Sequence, residues 1–275
     1  MKKFSLLLIS NLIFVSAVSA LDLARIEKLI FDQTNKERTS RSLPAYLPNS
    51  SLESIARIHS ANMIKFNFFS HKDNEGLGPG GRMQKYHPDV LGGVGENIAY
   101  NFGKTEEAVA TNLMTAWMKS PGHRKNILSG AYSHLGVGIV ESKGRFYGTQ
   151  NFGTLTSELT SKKKGAYSFD EKLDLEFQYL GTKPRDKLTI FIELKNRSAH
   201  YKMPNGSFYT GVAKVDPIRM EENRFTLSFV PKESYGTGLY KIRMGYSGSF
   251  YPESIDFQVV KKTEESIDTF INPNP

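Results

Sequence analysis

The sequence AWMKSPGHRKNIL (Ala116–Leu128) ends one predicted helix and begins another. Ser120 is a good helix cap, and Pro121 suits the first position of the following helix because its missing N–H would be unpaired there anyway. His123 then lies in the first turn, where the positive end of the helix dipole disfavours the imidazolium. A neutral imidazole is the form that a metal ligand or a general base requires, which makes His123 a candidate functional residue.

The residues on either side of this segment predict a mixed domain in which helices pack on a sheet. Apolar residues recur at helical spacing from Leu23 to about Arg38, and Ser50 with Glu53 resembles a capping box at the start of a second helix. Another helix starts near Thr105. After Gly130 the period changes to two, which predicts a β-hairpin with its turn at residues 142–144.

The glycine-rich segment Gly76–Gly95 lies between the second and third of these helices. It is too long for a plain connection, so we interpret it as a loop that is either functional or mobile. Its stretch Gly78-Pro79-Gly80-Gly81 is interpreted as a flexible turn.

The second half of the chain has a different pattern, with alternating short strands and no helical period. The polar stretch 154–168, which contains Lys162-Lys163-Lys164, predicts a linker. Residues 169–262 then predict an antiparallel β-sandwich of immunoglobulin-like type. The predicted organisation is a signal peptide at 1–20, a first domain at 21–153, the linker, the β-sandwich and a C-terminal tail at 263–275. The fold class is therefore α+β followed by an all-β domain.

The first 20 residues have the three parts of a secretory signal: Lys2 and Lys3, an apolar stretch, and small residues up to Ala20. We therefore expect a secreted or periplasmic protein, with no transmembrane segment after cleavage. The 275-residue chain has no cysteine, which excludes disulfides, thiol catalysis and cysteine-bound metals. Its net charge of +8 favours contact with anionic surfaces, and no nucleic-acid recognition motif is present.

Three residues are candidates for a functional site: His71, Glu96 and His123. Two histidines and a glutamate could form a metal shell with an open position, for zinc or another divalent ion. Alternatively, each histidine hydrogen-bonds backbone or water at a helix end. The common hydrolase signatures HExxH and GxSxG are absent.

Five motifs occur in an order that resembles the CAP superfamily, which includes the cysteine-rich secretory, antigen 5 and pathogenesis-related class 1 proteins, and the match is closest to its bacterial SCP-like branch. The motifs are NFFSH (Asn67–His71), GENIA (Gly95–Ala99), AWMKSPGHRKNIL (Ala116–Leu128), LGVGIVE (Leu135–Glu141) and YGTQNFG (Tyr147–Gly153). The resemblance covers about Ile26 to Gly153 and implies an α-β-α sandwich.

The resemblance also implies a cleft lined by two histidines and two acidic residues, where some relatives hold zinc. His71, Glu96 and His123 match the two histidines and the first acid. At the positions where relatives carry the second acid, this chain has Ser120 and Pro121, so the resemblance implies a three-residue version of the site.

The resemblance supplies no shared reaction, and the sequence leaves three functions open. The first is a binding or interaction module whose partner is a protein, a lipid or an envelope polymer, and we favour this over an enzyme. The second is a metal-assisted hydrolase acting on peptides or envelope polymers. The third is a lipid- or sterol-binding protein that exposes Phe66, Phe68 and Phe69; runs of phenylalanine are usually packed inside, so we expect these three at the edge of the core.

Overall fold

A computed structural model describes residues 20–197, 200–202, 206 and 208–261. The predicted signal peptide, except for Ala20, and the predicted C-terminal tail lie outside these residues. The helices in the described part are α1 (Leu23–Thr39), α2 (Ser50–Lys65), α3 (Pro79–Tyr86), α4 (Glu106–Lys119) and α5 (Pro121–Ile127). Among the described residues, no helix combines the length and the hydrophobicity needed to cross a bilayer.

The strands of the first half belong to one antiparallel unit, with a short parallel strand at its edge. They are β1 (Leu47–Pro48), β2 (Val90–Phe102), β3 (His134–Ser142) and β4 (Arg145–Leu159). The order is β1-β3-β4-β2, so β2 is at the outer edge beside the predicted site. The predicted hairpin is confirmed as β3–β4, and Lys143 and Gly144 both have positive φ, as a two-residue hairpin turn requires.

The first half has three layers, as the family resemblance implies. Helices α1, α4 and α5 cover one face of the sheet, where Leu135, Val137 and Ile139 meet the fully buried Trp117. Helices α2 and α3 cover the other face around a smaller apolar cluster. Successive side chains of β3 point to opposite faces of the sheet, so this strand contacts both helical layers.

Helix α2 lies directly on the backbone of β3. A Cβ atom added to Gly136 would lie 2.2 Å from the amide nitrogen of Glu53, and one added to Gly138 would lie 2.2 Å from that of Arg57. Only glycine leaves room for this approach, so both glycines of LGVGIVE are explained by packing. Ser60 then donates a hydrogen bond to the Gly138 carbonyl across the contact, at 3.0 Å.

Two expectations for the first half were wrong in detail. The cap of α2 is Asn49, whose side chain accepts from the Leu52 amide, and Ser50 is already helical. The glycine-rich segment is not a loop throughout, because it contains α3 and the start of β2. Pro79 opens α3, and the buried Met83 holds the helix on the core, so the helix forms despite two glycines in its first turn.

The stretch 154–168 is largely strand, whereas the sequence predicts a linker there. Strand β4 continues to Leu159, and β5 (Ala166–Ser168) follows. Polar residues are tolerated inside this strand because their hydroxyls form hydrogen bonds. The hydroxyl of Thr156, for example, donates to the Leu91 carbonyl at 3.1 Å. Leu155 and Leu159 alternate with these residues and are buried, which anchors the strand.

The described part of the second half is built from strands and two short 3₁₀ turns. The strands are β6 (Leu173–Tyr179), β7 (Leu188–Glu193), β8 (His200–Lys202), β9 (Phe208–Thr210), β10 (Val212–Val215), β11 (Ile218–Glu221), β12 (Arg224–Phe229), β13 (Gly238–Tyr246), β14 (Ser249–Phe250) and β15 (Ile255–Val260). Strands β6, β12 and β11 extend the sheet of the first half through β4, while β10-β7-β13-β15-β5 form a second sheet. Both sheets contribute to one apolar core, and the immunoglobulin-like subtype stays a prediction.

The two halves also meet at helix α3. The amide of Ser254, just before β15, donates to Oε1 of Gln84 on α3 at 3.1 Å. The carboxylate of the buried Glu253 lies against Gly80 at the start of the same helix. Helix α3 is therefore packed between the first sheet and a loop of the second half.

The contact between α2 and β3 generates a first prediction. Replacing Gly138 with alanine pushes α2 away from β3, because the added methyl group overlaps backbone atoms that cannot rotate aside. We expect a loss of about 2 kcal/mol or more in the free energy of unfolding. Urea unfolding followed by the fluorescence of Trp117, the single tryptophan, measures it.

The matched control is Gly130→Ala, which adds the same methyl group where there is open space. Apart from its chain neighbours, no atom of the described residues lies within 4 Å of the position that this methyl group would take. An equal effect in both variants would contradict the packing argument.

Candidate functional site

The centre of the site is a buried ion pair between Arg82 on α3 and Glu96 on β2. The side chains are 0% and 1% exposed, and Nη2 of Arg82 donates to Oε2 of Glu96. Nη1 of the same guanidinium donates to the carbonyls of His71 (3.0 Å) and Leu77 (2.8 Å). Burying two charges is costly unless their hydrogen-bonding capacity is used, and here most of it is.

His71 lies at the surface end of this network. Its Nδ1 is 2.8 Å from Oε1 of Glu96, and its side chain is 55% exposed. Because an ionised carboxylate can only accept, Nδ1 carries the proton, and Nε2 of the neutral ring is left as the acceptor or ligand atom. The hydrogen bond to Glu96 raises the pKa of His71 above its ordinary value, against a smaller opposing effect of burial.

A third histidine, His59 on α2, lies under the pair and is fully buried. Its Nε2 is 2.9 Å from the Ser70 carbonyl and 3.8 Å from Oε1 of Glu96. Burial lowers the pKa of His59, so the neutral ring donates to Ser70 and holds the segment that carries His71. Sequence reasoning missed both His59 and Arg82; the signal for His59 was its position on the apolar face of α2, four residues before Met63.

His123 is in the first turn of α5, as predicted, with Ser120 as the cap residue and Pro121 at the start. Burial lowers the pKa of His123, and the charge of the nearby His71 lowers it further. The backbone of this turn is fixed by β2, because Asn97 donates to the His123 carbonyl at 3.1 Å. Asn126 on the same helix donates to Oδ1 of Asn97 at 2.9 Å.

The structure thus joins His71 and Glu96 directly and brings His123 into the electrostatic range of His71. Both oxygens of Glu96 accept hydrogen bonds, from Arg82 and from His71, and the metal shell of three residues stays a prediction. Within the part of the chain that the structure describes, no group of three or more His, Asp or Glu side chains is placed to hold a metal ion. Glu96 is an orienting partner of His71, a role that carboxylates commonly have behind ligating histidines.

An exposed aromatic surface adjoins His71. Phe66 and Phe69 are 45% and 48% exposed, so the expectation that they lie at the core edge was wrong for both. Phe69 contacts the exposed Tyr100 edge to face at 5.2 Å, and the Arg145 guanidinium lies 4.6 Å from the Tyr100 ring centre. Phe68 instead packs against His59, which accounts for its partial burial.

Residues 31–152 match the model of the CAP family, the cysteine-rich secretory protein family. This part of the chain is a CAP domain. The matched residues include all three predicted site residues and both members of the buried ion pair.

Three of the similar proteins are bacterial. The uncharacterized membrane protein YlbC of Bacillus subtilis is 37% identical over 46% of this chain and 34% of its own length. The uncharacterized protein YkwD of the same organism is 37% identical over 42% of this chain and 43% of its own length. A solved extracellular protein from Bacillus anthracis that contains an SCP domain is 33% identical, with a TM-score of 0.41, over 46% of this chain and 40% of that one. The chain thus matches less than half of each of these proteins.

The contact between His71 and Glu96 generates a second prediction. In a proton NMR titration, His71 should show a pKa above the ordinary value of about 6.5 and His123 a pKa below it. Glu96→Gln keeps the shape of the side chain but removes its charge, so the pKa of His71 should fall towards the ordinary value. His87, whose pKa is lowered by burial elsewhere, is the internal control. An unchanged pKa of His71 in the variant would mean that Glu96 does not orient it.

The direction of this pKa shift also fixes a pH dependence. Since the folded protein favours protonated His71, the contact contributes stability below the pKa of histidine in the unfolded chain, and that contribution disappears as the pH rises through the raised pKa. The stability difference between the unaltered protein and Glu96→Gln should therefore be smaller at high pH than at low pH.

Proposed function

We propose that this CAP domain is a binding module, working outside the cytoplasm, whose ligand contacts are made by the imidazoles of His71 and His123. The observation that carries the proposal is the rigid support of His71: its Nδ1 is held by Glu96, which is fixed by the buried Arg82. A ring held in this way presents Nε2 in one orientation, which favours binding because little conformational freedom is lost.

The same contacts favour binding over hydrolysis. A hydrolase of this type needs a group that takes a proton from water, and Glu96 is the only predicted acid of the cleft. Its oxygens accept hydrogen bonds from Arg82 and His71, and its side chain is only 1% exposed, so water has little access to it. The positions of the family's second acid hold Ser120 and Pro121, which serve here as the junction between α4 and α5.

A ligand of the two imidazoles can be a divalent metal or an organic group that donates hydrogen bonds. Neutral imidazole is a common zinc ligand, and the lowered pKa of His123 keeps it neutral near neutral pH. With two protein ligands instead of three or four, we expect the affinity for zinc to be modest.

The third prediction tests this site with zinc as the probe. We expect isothermal titration calorimetry to detect zinc binding to the unaltered protein, and His71→Ala/His123→Ala to abolish it. The control is His87→Ala, which removes an imidazole outside the cleft and should leave the titration unchanged. No measurable zinc binding by the unaltered protein would reject the metal as the ligand, and loss of binding in the control would reject the site.

The exposed aromatic surface favours a second candidate, the binding of lipid. Phe66, Phe69, Tyr100 and Phe102 are each between 44% and 52% exposed, and Arg145 lies over the rings of Tyr100 and Phe102. Aromatic rings with a basic neighbour suit the interface of a bilayer, where the rings enter the headgroup region and the cation meets anionic lipid.

The fourth prediction tests lipid binding separately from the imidazole site. Phe66→Ser/Phe69→Ser should reduce co-sedimentation with vesicles of anionic phospholipid several-fold, since the loss of each ring removes apolar contact area. The control pair Leu47→Ser/Leu239→Ser changes two exposed leucines elsewhere and should have little effect. Equal sedimentation of the unaltered protein and the phenylalanine variant would exclude this surface as a lipid contact.

A further inference from the structure

The second half of the chain contains a groove of about 810 Å³ on the outer face of its second sheet. Its floor is formed by β7, β10 and β13, and its sides by β9 and by the segment from Phe250 to Pro252. This volume lies within the range that small-molecule sites and short polymer segments occupy. The groove is far from His71 in sequence and shares no residue with the CAP domain.

One wall of the groove is aromatic and rigid. Phe191 on the sheet contacts Phe250 at 4.6 Å and Tyr209 at 5.4 Å between ring centres. The hydroxyl of Tyr209 donates to the Gly248 carbonyl at 2.7 Å, which ties β9 to the turn between β13 and β14. The wall is thus held by packing and by a hydrogen bond before any ligand arrives.

The groove also carries an excess of positive charge. Among the described residues, four cations line it: Lys195, Arg197, Lys241 and Arg243. Arg243 is paired with Glu193 at 2.7 Å, and Lys241 with Asp256 at 3.4 Å. Lys195 and Arg197 are exposed and make no ion pair with any residue that the structure describes. Two positive charges at one end of the groove therefore remain for an anionic ligand.

Glu193 gives the groove a second chemical property. It lies on the floor as the single carboxylate among the described lining residues, and Arg243 contacts its Oε1. A carboxylate has acceptor capacity for several hydrogen bonds, so Glu193 can still accept from hydroxyl donors. A simple anion such as phosphate would make no use of this acceptor, whereas a ligand that carries both hydroxyls and acidic groups would use it together with the cations.

We propose that this groove binds an acidic oligosaccharide, with sugar rings against Tyr209 and Phe250, hydroxyls on Glu193, and carboxylates or sulfates on Lys195 and Arg197. The faces of a pyranose ring are apolar C–H surfaces and its edges carry hydroxyls, which matches an aromatic wall beside a polar floor. Lysine and arginine supply charge-assisted hydrogen bonds to the acidic groups.

The fifth prediction uses trigalacturonic acid as the probe and the full chain as the protein. We expect calorimetry at low ionic strength to show binding, and maltotriose, a neutral trisaccharide, to bind at least several-fold more weakly. Lys195→Ala/Arg197→Ala should weaken trigalacturonate binding by about tenfold or more, because two charge-assisted contacts are lost. Tyr209→Leu keeps an apolar side chain but removes the ring, so it should weaken both sugars.

The control is Lys172→Ala/Lys232→Ala, which removes two exposed lysines of the same half outside the groove. Its binding should equal that of the unaltered protein. If this control and Lys195→Ala/Arg197→Ala weakened binding equally, the protein would have only a general attraction for polyanions, and the proposal would be overturned. Undiminished binding by Lys195→Ala/Arg197→Ala, or equal affinity for a single-stranded oligonucleotide, would overturn it as well.

Discussion

The buried pair of Arg82 and Glu96 is the interaction on which the cleft depends. Charges taken out of water are tolerated only when hydrogen bonds replace the lost hydration, and removing one partner of such a pair typically costs about 3–5 kcal/mol. Here the guanidinium also binds two carbonyls of the loop before α3, and the carboxylate binds His71. One ion pair therefore fixes a helix, a strand and a loop relative to one another.

The close contact between α2 and β3 helps to position the Arg82–Glu96 pair. The glycines of β3 let α2 rest on the strand backbone, and α2 in turn carries His59 to a position 3.8 Å from Glu96. A larger residue at Gly136 or Gly138 would displace α2 and would therefore disturb the hydrogen bond from His59 to Ser70. The position of His71 thus depends, through packing, on the LGVGIVE motif, although this motif places no polar side chain in the cleft.

The local pattern of residues predicted the hairpin, and the family resemblance implied the three layers and a cleft that includes His71 and Glu96. Arg82 was missed because its helix starts with Pro79-Gly80-Gly81, where the glycines have low helix propensity. Tertiary contacts, among them the burial of Met83, stabilise this helix. The end of β4 was missed because Thr156 and Ser157 are polar, and their burial depends on partners far away in the chain. The exposure of Phe66 and Phe69 likewise depends on where α2 ends, which composition does not determine.

The helix that carries Arg82 is held from both halves of the chain. On one side Met83 is buried in the CAP domain, and on the other the amide of Ser254 binds Gln84 while Glu253 lies against Gly80. Glu253 is buried at this contact, and burial raises the pKa of its carboxyl group. Because β4 also continues from the CAP domain into the sheet of the second half, a movement between the halves would displace α3, the helix from which Arg82 reaches Glu96.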